Sequence, residues 1–327
     1  MASGEETLEQ PYINPEGQAY LDSISGSPPL EDISIPDFRK LLAQIQAHDP
    51  IPGHGVKDVK TFIFRPANTS GKQLPMLFYV HGGGWVSGDH FTHDNLVRQL
   101  CLLSGVALVF IEYSLAPEKK FPVQNEECFA VVKYFVEHGK QHDLKTDKIA
   151  IAGDSAGGQL APAVIQLAHK HHLKAEFVYQ VLFSPVVNLE NIFERLTFSE
   201  WQLFNFPSLD VPVARIWTQA YIPDPKDRQS PLASPLLMSD EATKLFPPTL
   251  IVATAVDILR DDGHAFGKKL QKAGVPCSVI QLEFSVHDTV FLEPTRTGPT
   301  AQTAIKAAVS ELRDALFDTE HQKDTEV

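Results

Sequence analysis

Short apolar runs alternate with longer stretches in which apolar residues recur every three or four positions, and this rhythm fills most of the chain. Residues 76–80, 106–113, 148–152 and 177–183 are compact apolar runs, the pattern of strands buried on both faces. Between them, 95–103, 123–138 and 159–169 carry a helical period. Residues 59–64 alternate apolar and polar positions, as a half-buried strand does. Further on, 249–253 and 277–282 predict two more strands, with helices over 263–273 and 300–317. Alternation of this kind predicts an α/β fold: a mostly parallel, doubly wound sheet with helices on both faces.

Two stretches break the rhythm. Residues 1–55 show no strand alternation and one short amphipathic helix, over 36–45. Residues 188–228 crowd Phe193, Phe198, Trp201, Phe204, Phe206, Trp217 and Tyr221 among Pro207, Pro212, Pro223 and Pro225, too irregular for another strand and helix. Aromatic residues inserted beside a parallel sheet read as a cap that packs on the N-terminal helix, since apolar surface near a site is where ligands bind. The plainer reading is a satellite core. The expected organisation is an N-terminal cap segment and lead-in at 1–55, a first core part at 56–187, a cap insertion at 188–229 and a second core part at 230–327. The polar tail from Asp318 is expected to fray.

Composition narrows the function. The 327 residues are 43% hydrophobic and 21% charged, a globular mix. With 28 Lys and Arg against 41 Asp and Glu, the net charge of −13 argues against nucleic acid as a partner. Cys101, Cys128 and Cys277 show no CxxC spacing, so neither a disulfide framework nor a zinc site is expected, and each reads as a small buried hydrophobe. Glu5, Glu6 and Glu9 stand where a signal peptide needs positive charge, and no apolar run reaches membrane-spanning length. A cytoplasmic location without a membrane span is the expectation, and a homodimer stays open. His169, His171 and His172 read as a solvated helix end, with metal binding as the minor alternative.

The chemistry centres on Gly153-Asp154-Ser155-Ala156-Gly157, a GxSxG set between the run 148–152 and the helix 159–169. A catalytic serine needs its hydroxyl raised on a strained strand-to-helix turn, where flanking glycines avoid collisions. Gly157 and Gly158 also let the helix pack close to neighbouring strands. Ser155 then sits at a helix N-terminus, whose free N–H groups favour developing negative charge. A serine hydroxyl needs a base, and the base needs an orienting acid. The order Ser, acid, His with partners after later strands selects Asp257, after the strand at 249–253, and His287, after the strand ending near 282. All three should emerge at the carboxyl edge of the sheet. Asp261 and Asp262 suit N-terminal charge and capping of the next helix better. Asp288 is a rival acid, but adjacency to His287 should point the two side chains apart. The loop His81-Gly82-Gly83-Gly84 follows an early strand and frees backbone N–H groups for an oxyanion, where losing one donor typically costs about a hundredfold or more in rate.

With His81-Gly82-Gly83-Gly84-Trp85, Glu112-Tyr113-Ser114-Leu115-Ala116-Pro117-Glu118, Gly153-Asp154-Ser155-Ala156-Gly157-Gly158, Asp257-Ile258-Leu259-Arg260-Asp261-Asp262-Gly263 and His287, the chain resembles the hormone-sensitive-lipase-like carboxylesterases of the α/β-hydrolase fold over roughly residues 75–290. The resemblance implies Ser155 as nucleophile, His287 as base, Asp257 as its acid, and oxyanion donors from Gly83, Gly84 and Ala156, with His81, Gly82 and Asp154 in support. It implies a helical cap and no metal or organic cofactor. The expected reaction is hydrolysis of small carboxylic esters, of short acyl chains, through an acyl-enzyme. Departures are Asp288 and Thr289 where the family usually has Gly and Phe, Glu112-Tyr113-Ser114 for Asp-Tyr-Arg, and Val256 for an aromatic. An acid beside the base is placed to raise its pKa or change the leaving-group side. Two rival readings are a biosynthetic tailoring enzyme using the same triad for lactone hydrolysis, acyl transfer or cyclisation, and a non-catalytic binding protein.

Overall fold

A computed structural model of the chain describes residues 12–23, 25, 30–45, 54–56, 59–190, 209–293 and 295–317. The aromatic residues Phe193, Phe198, Trp201, Phe204 and Phe206, the acidic N-terminus and the tail from Asp318 lie outside the described residues.

Among the described residues, eight strands form one sheet: β1 (His54–Val56), β2 (Val59–Phe64), β3 (Leu74–Val80), β4 (Ala107–Glu112), β5 (Leu144–Asp154), β6 (Glu176–Phe183), β7 (Thr249–Val256) and β8 (Cys277–Val286). Their order is β1-β2-β4-β3-β5-β6-β7-β8. The pairs of β2 with β1 and β4 are antiparallel, and all pairs from β4 to β8 are parallel. This is the expected mostly parallel α/β sheet, with the serine-bearing β5 near its middle.

The continuous apolar runs follow from burial on both faces. Along β3, Met76, Phe78 and Val80 join a core with Val131, Val132 and Phe135 of α4 (Val123–His138) and Leu160 and Val164 of α5 (Gly157–Lys170). The intervening Leu77 and Tyr79 join a second core with Leu96 and Leu100 of α3 (Asp94–Ser104) and Ile305 and Leu312 of the C-terminal helix Pro299–Leu316. Period-two alternation thus sends each strand's side chains to two separate helical layers.

Several elements differ from expectation. The N-terminal stretch holds α1 (Pro15–Ser23) before the expected α2 (Ile35–Ile45), and β1 closes it. In α1 only Gly17 and Tyr20 are buried, too few for a periodic stripe to be seen in the sequence. The helix is seated by Asn14, whose N–H donates to Phe284 O at 2.8 Å and whose side-chain amide donates to Ser285 Oγ at 3.2 Å. The proline-rich stretch carries a regular helix, α6 (Val211–Tyr221). Pro212 lies in its first turn, where proline's fixed φ suits a helix start, and the Asp210 carboxylate accepts from Val213 N at 2.8 Å as its cap. Downstream come the short helix α7 (Asp240–Thr243), then α8 (Arg260–Lys272) and α9 (Pro299–Leu316). Cys101 and Cys128 are buried as expected, whereas Cys277 is only half-buried because it opens the outermost strand.

Candidate active site

Strand register brings the site together. Val80 pairs with Gly153, so the glycine loop after β3 emerges beside the Ser155 turn after β5. Val256 pairs with Val286, so the residues that follow, Asp257 and His287, leave adjacent strands side by side. All lie at the carboxyl edge of the parallel strands.

Ser155 sits at φ 48°, left-handed backbone that only a tightly held turn keeps for a non-glycine residue. Its N–H donates to Phe183 O at 2.9 Å, and its carbonyl accepts from Val186 N at 3.1 Å. Gly157 is obligatory, since a Cβ there would lie 2.0 Å from Val80 O. The helix α5 therefore starts hard against β3, with Ser155 Oγ above the sheet edge.

His287 Nε2 is 2.9 Å from Ser155 Oγ, and His287 Nδ1 is 2.7 Å from Asp257 Oδ2. Ser155, His287 and Asp257 are all buried, at 5%, 4% and 3% exposure. The Asp257 carboxylate is fixed further: Oδ2 accepts from Thr254 Oγ1 at 2.7 Å and Oδ1 from Leu259 N at 2.8 Å. Thr254 in turn shares a bond with Ser184 Oγ at 3.0 Å. No motif in the chain marks these two hydroxyls, which are ordinary strand-end residues. Burial opposes the charged form of His287, but Asp257 and then Asp288 outweigh it and hold the ring well above the usual histidine range.

The rival acids resolve in three ways. Asp261 pairs with Arg260 at 2.9 Å on the surface. Asp262 lies in the first turn of α8, as expected, and its Oδ2 also accepts from Val187 N at 3.1 Å and Asn188 N at 3.2 Å, tying down the chain after β6. Asp288 contradicts the expectation that it points away from His287. Its φ of 57° folds the carboxylate back, and Oδ2 lies 3.2 Å from His287 Nε2. The divergence of neighbouring side chains holds in extended chain and fails at a left-handed residue.

Gly83 and Gly84 take φ of 101° and 61°. Among the described residues, nothing accepts a hydrogen bond from the N–H of Gly83, Gly84 or Ala156, so these amides beside Ser155 are open donors. A Cβ at Gly84 would meet Trp217 Cε3 at 2.2 Å, so the indole of α6 lies directly on the glycine loop. Gly82 N donates to Asp154 Oδ1 at 3.0 Å, linking this loop to the serine turn.

Beneath the site, Asp154 is fully buried and also accepts from Tyr79 OH at 2.6 Å and faces His93 Nε2 at 3.2 Å. Burial alone would raise the Asp154 carboxyl and lower the His93 ring, but their attraction reverses both shifts, leaving an ion pair inside the protein. His93, absent from the sequence prediction, stands 61 positions before its partner and carries no motif. His81 is a stacked core residue: it lies against Tyr113, with 4.2 Å between ring centroids, and burial pushes it down to about 4, so it is neutral at neutral pH. At the helix end, His169 Nε2 donates to Leu245 O at 2.7 Å and His171 stacks on Phe129.

A cavity of about 20 Å³ beside Ser155 is lined by Gly84, Trp85, Val186, Leu209, Ala214, Trp217, Thr218 and Leu259. A larger, more open groove of about 730 Å³ lies at the opposite, amino edge of β6 and β7, between Asp147, His169 and Pro247, far from the serine. Of these two, the small cavity is the one that Ser155 lines. Arg39 of α2 fastens the N-terminal segment above it, donating to Val86 O at 2.5 Å and Ala116 O at 2.9 Å while pairing with Glu118 at 2.9 Å. Phe38 touches Trp217, and Trp85 stacks on Tyr221, so α2 and α6 meet over the glycine loop.

Comparison with known proteins agrees with this fold. The sequence profile of the alpha/beta hydrolase fold family matches residues 77–291. A Gibberella moniliformis esterase is 34% identical, over 94% of this chain and 99% of the fungal protein. An acetyl esterase of Salmonella dublin is 32% identical over 76% of this chain and 74% of its own length. The crystal structure of a thermostable esterase from Pseudomonas putida superposes with a TM-score of 0.87 at 30% identity, covering 95% of this chain and 100% of that one.

Proposed function

The chain belongs to the alpha/beta hydrolase fold family, and we propose that it is a carboxylic-ester hydrolase working through Ser155, His287 and Asp257. The observation that carries the proposal is the continuous chain of contacts from Ser155 Oγ to His287 Nε2 at 2.9 Å and from His287 Nδ1 to Asp257 Oδ2 at 2.7 Å. Asp257 holds the ring with its proton on Nδ1, which leaves Nε2 to take the Ser155 proton as Oγ attacks the ester carbonyl. The oxyanion meets the open N–H groups of Gly83, Gly84 and Ala156, fixed before the reaction begins. His287 then passes the proton to the leaving alcohol, and water, activated by the same ring, releases the acyl group.

The small apolar cavity favours short acyl chains, since about 20 Å³ admits only about one or two water-sized groups. We read residues 1–55 and 188–229 as a cap over this cavity. The contacts of Arg39 and Phe38 from one segment and Trp217 and Tyr221 from the other support that division. No helix among the described residues is long and apolar enough to cross a membrane. The free thiols of Cys101, Cys128 and Cys277 fit a cytoplasmic location.

The test is hydrolysis of nitrophenyl esters of increasing chain length, with labelling of Ser155 by an organophosphonate. Ser155→Ala should abolish labelling and lower kcat by at least about a thousandfold while the fold is unchanged. Activity should peak at acetyl or propionyl esters. Failure of the parent to label, or a maximum at long chains, would refute the proposal or its acyl-chain part respectively.

A further inference from the structure

Asp288 is a carboxylate at the site that the contacts among Ser155, His287 and Asp257 leave without a task. Its Oδ2 is 3.2 Å from His287 Nε2, the same nitrogen that lies 2.9 Å from Ser155 Oγ. Its other oxygen, Oδ1, is buried with no hydrogen-bond partner among the described residues. The residue is 6% exposed, so water screens it little.

One nitrogen holds one proton. When the ring is neutral, the Nε2 lone pair accepts the Ser155 hydroxyl. In the charged ring, Nε2–H points between Oγ and the carboxylate, and the anion is the stronger acceptor. Ser155 and Asp288 therefore use the same atom in opposite protonation states. Resting on the esterase reading above, we infer that Asp288 is a positioning residue that accepts Nε2–H of charged His287 and so sets the pH above which the ring is free to take the Ser155 proton.

Groups from every neighbouring element bear on this pair. Asp257, after β7, favours the charged ring, and Asp288 adds to it from the nucleophile side. Burial first, then Asp154 at the end of β5 and Asp257, push the Asp288 carboxyl up, while His287 opposes them by favouring its anion. His93, before α3, also faces Asp288. Tyr79 of β3 and Tyr20 of α1 face it as neutral phenols, both pushed up by burial. The proton path needs no extra reactant. As Oγ bonds to the carbonyl carbon, its O–H bond breaks and the proton passes to Nε2, while the carbonyl π pair moves onto oxygen. The same proton later leaves with the alcohol. Asp288 stabilises the imidazolium between those two steps and exchanges no atom.

Asp288→Asn keeps the shape and tolerates the left-handed backbone, and Asp288→Gly takes that backbone without strain. The imidazole nitrogen shifts of His287 are followed by NMR in the full chain carrying nitrogen-15 histidine, assigned with His287→Gln. The acid limb of kcat/KM is followed in parallel on p-nitrophenyl acetate. An opposite charge this close moves a titration by about one to three pH units. Since the charge raises the ring's proton affinity, both variants should titrate lower by about that amount, and the acid limb should move to lower pH with the ring. An unchanged ring titration in both variants overturns the inference, as does a ring titration that moves while the acid limb stays. A parent that titrates as expected but hydrolyses no ester would sink the esterase reading instead, and the NMR result would still decide whether Asp288 holds the ring proton.

Discussion

Replacing Asp154 with Asn tests whether the ion pair beneath the serine is a working part of the fold. The carboxylate is fully buried and holds three elements: Tyr79 of β3, Gly82 of the glycine loop and His93 before α3. Asn keeps the size but removes the charge and one acceptor oxygen. Breaking one partner of a buried pair typically costs about 3–5 kcal/mol, since the survivor is left charged without compensation. The pH dependence carries a definite sign. The His93 ring is raised in the folded state, so its contribution is fully present below its unfolded value of about 6.5 and is lost as pH rises through the folded value. Asp154 is lowered, so its contribution is present above about 3.9 and is lost as pH falls through the folded value. The gap between parent and variant is therefore widest between about pH 4 and 6.5. Urea unfolding followed by fluorescence should give a difference of about 3–5 kcal/mol at about pH 5.5. Above the titration of His93 the gap should shrink to the about 1–3 kcal/mol of an imperfectly satisfied buried group. A gap below about 1 kcal/mol at the lower pH, or one that does not change with pH, would refute the reasoning.

Two further substitutions probe the cavity and the turn. Trp217→Ala removes the indole that lies on Gly84 and lines the cavity; each additional buried methylene contributes about 0.8 kcal/mol, or about fourfold, so the preferred acyl chain should lengthen and butyryl or hexanoyl esters should gain on acetyl esters in kcat/KM. An unchanged chain-length profile would show that this wall does not set acyl length. Gly157→Ala drives a Cβ to 2.0 Å from the backbone oxygen of Val80, which cannot rotate away. The thermal midpoint should fall by the equivalent of about 3 kcal/mol or more, or the chain should fail to fold; a midpoint equal to the parent's would refute the packing argument.

The one-dimensional pattern determined the layers of this protein and which loops share one edge of its sheet. Alternation along β2 and the periodic stripe of α4 reproduce their boundaries at Val59–Phe64 and Val123–His138 because burial on a given face is written locally, at periods of two and 3.6 residues. That Ser155, Asp257 and His287 leave the sheet at one edge is legible because their order along the chain follows the order in which loops leave the sheet, and the structure brings the three side chains into contact. Helix α6 was hidden because prolines read as breakers, although Pro212 sits where proline starts a helix. Only the tertiary structure decided that His93 stands under Asp154, that Thr254 and Ser184 brace Asp257, that Trp217 covers Gly84, and that Asp288 turns back onto the ring beside it. Each of these depends on where a side chain from one element ends against another, or on a single left-handed residue. Neither periodicity nor spacing encodes such a meeting: strand register and close packing create it when the chain folds.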